Sequence, residues 1–219
     1  MRLPRAVVFD CDGTLADTEP LSDRAWQVTL SEHGYDPTPE DFQAVIGHPF
    51  AQNFAYYSER VELGDPATFR RRLRERFQHL VDTELRLHDD AVAALRALVA
   101  AEVPVAVASS SSHAHVRQIL ELGGAGDLVG VVVGADDVER HKPDAQPYVR
   151  AAQGLGVDPA VCSAAEDTGV GVASARAAGM FTVAVLRDGT DPATLSAAHR
   201  IVERITVDSL LPSGRQARP

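Results

Sequence analysis

A chain of 219 residues with 45% hydrophobic content and a formal net charge of −10 can bury a sizeable core, but gains nothing from the polyanionic backbone of nucleic acid. Aromatic residues make up only 5%, so the core is expected to be built from Ala, Val and Leu, as in a parallel sheet covered by helices on both faces. Two distant cysteines, Cys11 and Cys162, give neither a disulfide framework nor zinc spacing, and no apolar run is long enough to span a bilayer. With no signal peptide ahead of the first strand, the expectation is a cytoplasmic monomer that meets neither membrane nor nucleic acid.

Residues 5–10 read as a short buried strand ending in an acid, and 11–17 as a loop containing Gly13 and Thr14. From residue 18 to 86 the character is helical and polar. Leu21, Ala25, Val28 and Thr29 recur at helical spacing, and Pro37, Pro39, Gly47, Pro49, Gly64 and Pro66 divide the stretch into several helices. Beyond residue 88 the pattern alternates: a helix over 90–101, a strand over 103–108 with Pro104 near its start, and a helix over 113–122 stopped by Gly123 and Gly124. A strand over 128–133, a helix over 145–155, a strand over 161–165, a helix over 169–178 and a strand over 181–186 follow, and 212–219 reads as a disordered tail. This alternation predicts an α/β fold with a doubly wound parallel sheet, formed by residues 1–17 and 87–219. Residues 18–86 are then a helical insertion after the first strand, a cap for the sheet's C-terminal edge.

Ligands of such sheets bind beyond the carboxyl ends of the strands. Four of those ends carry polar residues: Asp10, Asp12, Gly13 and Thr14 after the first, Ser109 to Ser112 after the second, Lys142 and Pro143 beyond the third, Glu166 and Asp167 after the fourth. Clustered carboxylates repel one another unless a cation neutralises them. Oxygen donors without His or Cys favour Mg2+ over zinc, and Mg2+ commonly binds substrate phosphate. Asp10 could then attack phosphorus. Asp12 could protonate the leaving oxygen and afterwards activate water. Ser109 and Lys142 would balance charge on the transferring group, and Gly13 would let backbone N–H groups approach it.

These four motifs, in this order and spacing, resemble the haloacid dehalogenase superfamily over residues 5 to about 210. The resemblance implies a Rossmann-like core, a small helical cap, Asp10 as nucleophile and Asp12 as acid/base. It implies Mg2+ on the Asp10 and Asp167 side chains and the Asp12 carbonyl, with Glu166 an additional or outer ligand, and a phosphoryl group held by Gly13, Thr14, Ser109, Ser110 and Lys142. Dehalogenases of the superfamily lack the second aspartate, so Asp12 favours phosphoryl transfer. The nearest patterns are β-phosphoglucomutases and sugar-phosphate phosphatases. The mutases carry a His soon after the first motif, an Arg in a Gly-x-Ser-Arg cap segment and a lysine after the serine motif. Here those places hold Ser22, Pro49 or Phe50, and Ser112. The expected function is therefore Mg2+-dependent hydrolysis of a small sugar or sugar-acid phosphate. A hexose-phosphate mutase and a catalytically silent binding domain are the alternatives.

Simpler readings stand beside these. The aspartates, Ser112, Glu166 and Asp167 could cap helices, and Lys142 could be a surface lysine. The basic run over 69–77 reads as a solvated helix face with Phe69, Leu73 and Phe77 turned inward, or else as the source of one arginine for a distal phosphate. His48 is a specificity candidate in the cap, Trp26 a cap anchor, Cys11 a small packing residue, and His113 and His115 lie at an exposed helix start.

Overall fold

The computed structural model describes residues 3–45, 50–187 and 189–212. The chain divides into two units, Met1–Ala16 with Leu87–Pro219, and Asp17–Arg86. The division falls one residue before the boundary expected after Asp17. The tail expected to be disordered lies almost wholly outside the described residues.

The first unit is a six-stranded parallel sheet with β1 (Ala6–Phe9), β2 (Val105–Ala108), β3 (Val131–Val133), β4 (Cys162–Glu166), β5 (Phe181–Val185) and β6 (Arg200–Val202) in the order β3-β2-β1-β4-β5-β6. All residues of β1, β2 and β4 are buried. Small and β-branched side chains suit that double burial, because helices cover both faces of a parallel sheet. The helices are α5 (Asp89–Ala100), α6 (His113–Leu122), α7 (Gln146–Gly154) and α8 (Gly169–Ala177). On one side Ala151 and Ala152 of α7 and Ala175 of α8 cluster with Ala6, Val8, Ala106 and Ala164. Ser112 caps α6 through its side chain, and Gly124 beyond the helix end takes the left-handed conformation (φ 66°) that favours glycine. The expected strand over 128–133 is shortened to three residues because Gly126–Leu128 close a 3-10 turn. The edge strand β6 was not expected; three residues give no readable alternation.

The second unit is helical throughout its named elements: α1 (Glu19–Ser31), α2 (Pro39–Val45), α3 (Phe50–Ser58) and α4 (Pro66–Glu84). Asp65 caps α4 and Pro66 opens it, a fixed φ in a place where no N–H is needed. The aliphatic core expected for the whole chain holds for the sheet but not here. Eight of the chain's twelve aromatic residues, Trp26 at their centre, pack into one cluster with Leu30, Leu63 and Leu73. Trp26 lies within 6 Å of the Phe50, Tyr57 and Phe69 ring centroids. In the basic run Phe69 is buried and Leu73 joins the cluster, whereas Arg70, Arg71, Arg72 and Arg74 are exposed.

Asp41 of α2 ties this unit together. Its carboxylate accepts from the Thr38 N–H (2.8 Å), the Tyr35 hydroxyl (2.8 Å) and the Tyr56 hydroxyl (2.8 Å), with Arg60 at 3.6 Å. Burial pushes the carboxyl up, but these hydrogen bonds outweigh it and hold Asp41 at about 2, below the ordinary 3.8. A carboxyl depressed in this way stabilises the fold above its unfolded pKa, and the contribution is lost as pH falls through the folded one. After allowance for solvent screening it amounts to about 1 kcal/mol. Acid titration followed by hydrogen exchange of α2 and α3 amides is expected to show protection falling between about pH 4 and pH 2. The Asp41→Asn protein is expected to lack that step and to be less protected at neutral pH.

Candidate active site

Strand register brings the motifs together. Phe9 pairs with Val107 on one side and Ala165 on the other, so Asp10 comes level with Ala108 and Glu166. The Asp10 N–H donates to the Ala165 carbonyl (2.9 Å), and the Ser109 N–H to that of Val133 (2.9 Å). The order β3-β2-β1-β4-β5-β6 places the switch of winding direction between β1 and β4, where such sheets open a crevice beyond the strand ends.

Lys142 lies at the centre of the group. Its Nζ donates to Asp10 Oδ1 (2.5 Å) and Glu166 Oε1 (2.5 Å), and its side chain is only 4% exposed. Glu166 is wholly buried and fully engaged. Oε1 also accepts from the Tyr148 hydroxyl (2.7 Å), and Oε2 accepts from the Asp167 N–H, the Thr168 N–H and the Thr168 hydroxyl. Five donors exceed the roughly four acceptor positions of a carboxylate. Gly171, in the first turn of α8, leaves room for it; a Cβ there would stand 1.8 Å from Glu166 Oε1.

Asp10, Glu166 and Asp167 bring oxygen atoms within 4.8 Å of one another. Burial lifts the Asp10 carboxyl well above the usual range; Lys142 draws it down, while Glu166 and Asp167 push it further up. Burial alone would lower Lys142, but the two carboxylates outweigh it and raise it, so the ammonium persists. One ammonium among three carboxylates leaves negative charge in a buried place, and an all-oxygen donor set is suited to a hard cation. The residues present thus fit Mg2+.

Asp12 faces a hydroxyl pair. Its Oδ2 accepts from Ser111 (2.8 Å) and Ser109 (3.3 Å), and Ser109 Oγ in turn accepts from the Ser111 N–H (2.9 Å). Its side chain is 32% exposed, and His115 Nε2 lies 4.0 Å from Oδ1. Thr14 donates through its hydroxyl to Asp167 Oδ1 (2.8 Å). Gly13 has φ 81°, and a Cβ there would meet Asp167 Oδ2 at 2.1 Å, so conformation and space both require glycine. Its N–H is already given to the Ala16 carbonyl (2.8 Å); the residue serves the site through its missing side chain. Ser110 is exposed beside these groups.

The structure thus gathers Asp10, Asp12, Thr14, Ser109, Lys142, Glu166 and Asp167. His48 lies outside the described residues. His113 and His115 are not freely exposed as expected: His113 Nδ1 lies 2.7 Å from Asp137 Oδ2, and His115 is turned toward Asp12. The buried Cys11 thiol is pushed up by burial and by Asp12 and Asp10, which suits a packing residue and not a nucleophile. Ser111, Tyr148, Asp90 and Arg187 were missed. The first belongs to a serine run whose members cannot be ranked by sequence, and Tyr148 is one residue of a helix, Gln146–Gly154, that gave no signal. Asp90 and Arg187 are 97 residues apart and gave none.

A family described as haloacid dehalogenase-like hydrolase matches residues 7–185. Among curated relatives, fructose-1-phosphate phosphatase YqaB of Escherichia coli is 31% identical over 82% of this chain and 95% of its own length. Hexitol phosphatase A of the same organism is 32% identical over 83% and 82%. Among solved structures, a HAD family hydrolase from Deinococcus radiodurans, with bound phosphate and sodium, superposes with a TM-score of 0.79 at 29% identity, covering 97% of this chain and 100% of that one.

Proposed function

We propose that this chain, which belongs to the haloacid dehalogenase-like hydrolase family, is a phosphatase of small phosphate esters that works through an aspartyl-phosphate on Asp10. The observation that carries this reading is the buried ammonium of Lys142 shared between Asp10 and Glu166, with Asp167 alongside. A charge-rich pocket of this kind is costly to bury without a functional return. The similarity to fructose-1-phosphate and hexitol phosphatases favours a sugar or polyol phosphate as substrate.

Asp10 and Asp167, with the Asp12 carbonyl, would hold Mg2+; Glu166, its oxygens already filled, would act by anchoring Lys142. The bound ion supplies positive charge for the phosphoryl oxygens and for the ionised nucleophile. An Asp10 oxygen attacks phosphorus while the bond from phosphorus to the substrate's ester oxygen breaks. Asp12 gives its proton to the departing oxygen, and the alcohol leaves. The same carboxylate, now ionised, takes a proton from water as that water attacks the aspartyl-phosphate. Orthophosphate departs and Asp10 is restored. Lys142 keeps its proton throughout and offsets charge on the transferring group. Ser109 and Ser110 would border the phosphoryl group once the Ser109 hydroxyl leaves Asp12, and Gly13 and Thr14 would act through Asp167.

The test is phosphate release from sugar, sugar-acid and polyol phosphates and nucleotides, with Mg2+ or EDTA. Release is expected from a sugar or polyol phosphate, falling at least about 100-fold in EDTA and returning with Mg2+. Undiminished release in EDTA would contradict the metal assignment. Absence of release, with hexose 1-phosphate converted to 6-phosphate instead, would replace hydrolysis by return of the phosphoryl group to sugar.

A further inference from the structure

Arg187 follows β5 by two residues and touches none of the groups placed in the reaction. Its guanidinium nevertheless gives four hydrogen bonds to the segment beside them and to Asp90. Nε donates to the Gly13 carbonyl (3.1 Å) and Nη2 to the Thr14 carbonyl (3.0 Å). Nη1 and Nη2 also grip Asp90 Oδ2 and Oδ1, each at 3.2 Å. Asp90, in the first turn of α5, is fixed by the Ile205 N–H as well (2.7 Å). Both partners are shielded, with side chains 15% and 8% exposed. A surface ion pair is worth little, but a buried bidentate fork carries geometry as well as charge.

What the fork holds is the seat of Asp167. Thr14 donates to one Asp167 oxygen and the bare Cα of Gly13 backs the other, so the 13–14 peptides cannot shift without moving that carboxylate. We propose that Arg187, neutralised and aimed by Asp90, is a positioning residue. It fixes the Gly13 and Thr14 carbonyls so that Asp167 stands ready for a divalent cation. The inference rests on Asp167 being a metal ligand, as argued above. Pairing with Asp90 matters for the same reason: an uncompensated guanidinium so near would oppose cation entry, whereas the pair adds rigidity without net charge. Lysine cannot replace it, since a single ammonium cannot satisfy two carbonyls and a carboxylate in one plane.

The experiment is a Mg2+ titration of the full chain, following the backbone amide resonances of Gly13, Thr14 and Asp167, with thermal unfolding in parallel. Wild type, Arg187→Gln, Arg187→Lys and Asp90→Asn are compared. The apparent Mg2+ Kd is expected to rise at least about tenfold in Arg187→Gln. Arg187→Lys is expected to stay near it, and Asp90→Asn to shift the same way by a smaller factor. The three resonances should move before metal is added, and turnover at saturating Mg2+ should recover most of the wild-type rate. A folded Arg187→Gln protein with a Kd within about twofold of wild type overturns the inference, as does full rescue by lysine, which would assign the effect to charge alone. If Arg187→Gln does not fold, Asp90→Asn decides by the same criteria. Wild type that takes up no Mg2+ at these resonances would instead overturn the metal reading on which the inference rests.

Discussion

Asp10→Asn is expected to lower phosphate release at least about 10⁴-fold while leaving the fold intact, because the amide keeps the shape of the side chain but has no anionic oxygen to attack phosphorus. The physical case for retained stability is local. Asp10 is buried beside Glu166 and Asp167, and that surrounding holds its carboxyl well above the ordinary range. Removing its charge relieves repulsion, and Lys142 keeps Glu166 as partner. The melting temperature is therefore expected to stay within a few degrees of wild type or to rise. An Asp10→Asn protein that unfolds would show that the aspartate is structural, and one that turns over normally would remove it as nucleophile. Circular dichroism melts together with a phosphate-release assay separate the two.

Lys142→Ala is expected to affect both quantities. The ammonium is the one positive charge shown within hydrogen-bonding distance of Asp10 and Glu166 among the described residues. Its removal leaves clustered buried carboxylates without compensation, and breaking such a pair costs about 3–5 kcal/mol. Tyr148 would still donate to Glu166, so the loss should sit toward the lower end. Turnover should fall about 10³-fold with the charge that offsets the transferring phosphoryl group. The distinguishing feature is metal dependence. Mg2+ is expected to restore much of the lost melting temperature, since a divalent ion supplies the missing positive charge, but little of the rate. Denaturation by guanidinium with and without Mg2+ checks the first, and steady-state kinetics the second. Equal destabilisation in both conditions would mean that Mg2+ does not enter this group.

Much of this site was legible because its residues lie at strand ends. Once β1, β2 and β4 are recognised as neighbouring parallel strands, their register brings Asp10 level with Glu166 and with Ala108, one residue before Ser109. What stayed hidden depends on contacts between distant segments. Thr14 and Gly13 looked like phosphate-loop residues, and the geometry turns both toward Asp167. The Ser109 hydroxyl, expected to face phosphate, is here bonded to Asp12 together with Ser111. Asp90 falls at the start of an expected helix and Arg187 just past an expected strand, and neither position marks a partner. Only the fold brings them together against the loop that follows β1. The short β6 was likewise hidden, whereas the aromatic concentration was readable but lost in the overall composition: nine of the twelve aromatic residues lie within 18–86.

The most direct test is an acid quench of the enzyme during turnover of a ³²P-labelled substrate, followed by recovery of the peptide containing residue 10. A covalent label on Asp10 that hydroxylamine removes, as it does an acyl-phosphate, and that is absent from Asp10→Asn, is the predicted result. Rapid turnover at every quench time with no label on that peptide, or the same label on another residue in Asp10→Asn, would contradict transfer through Asp10.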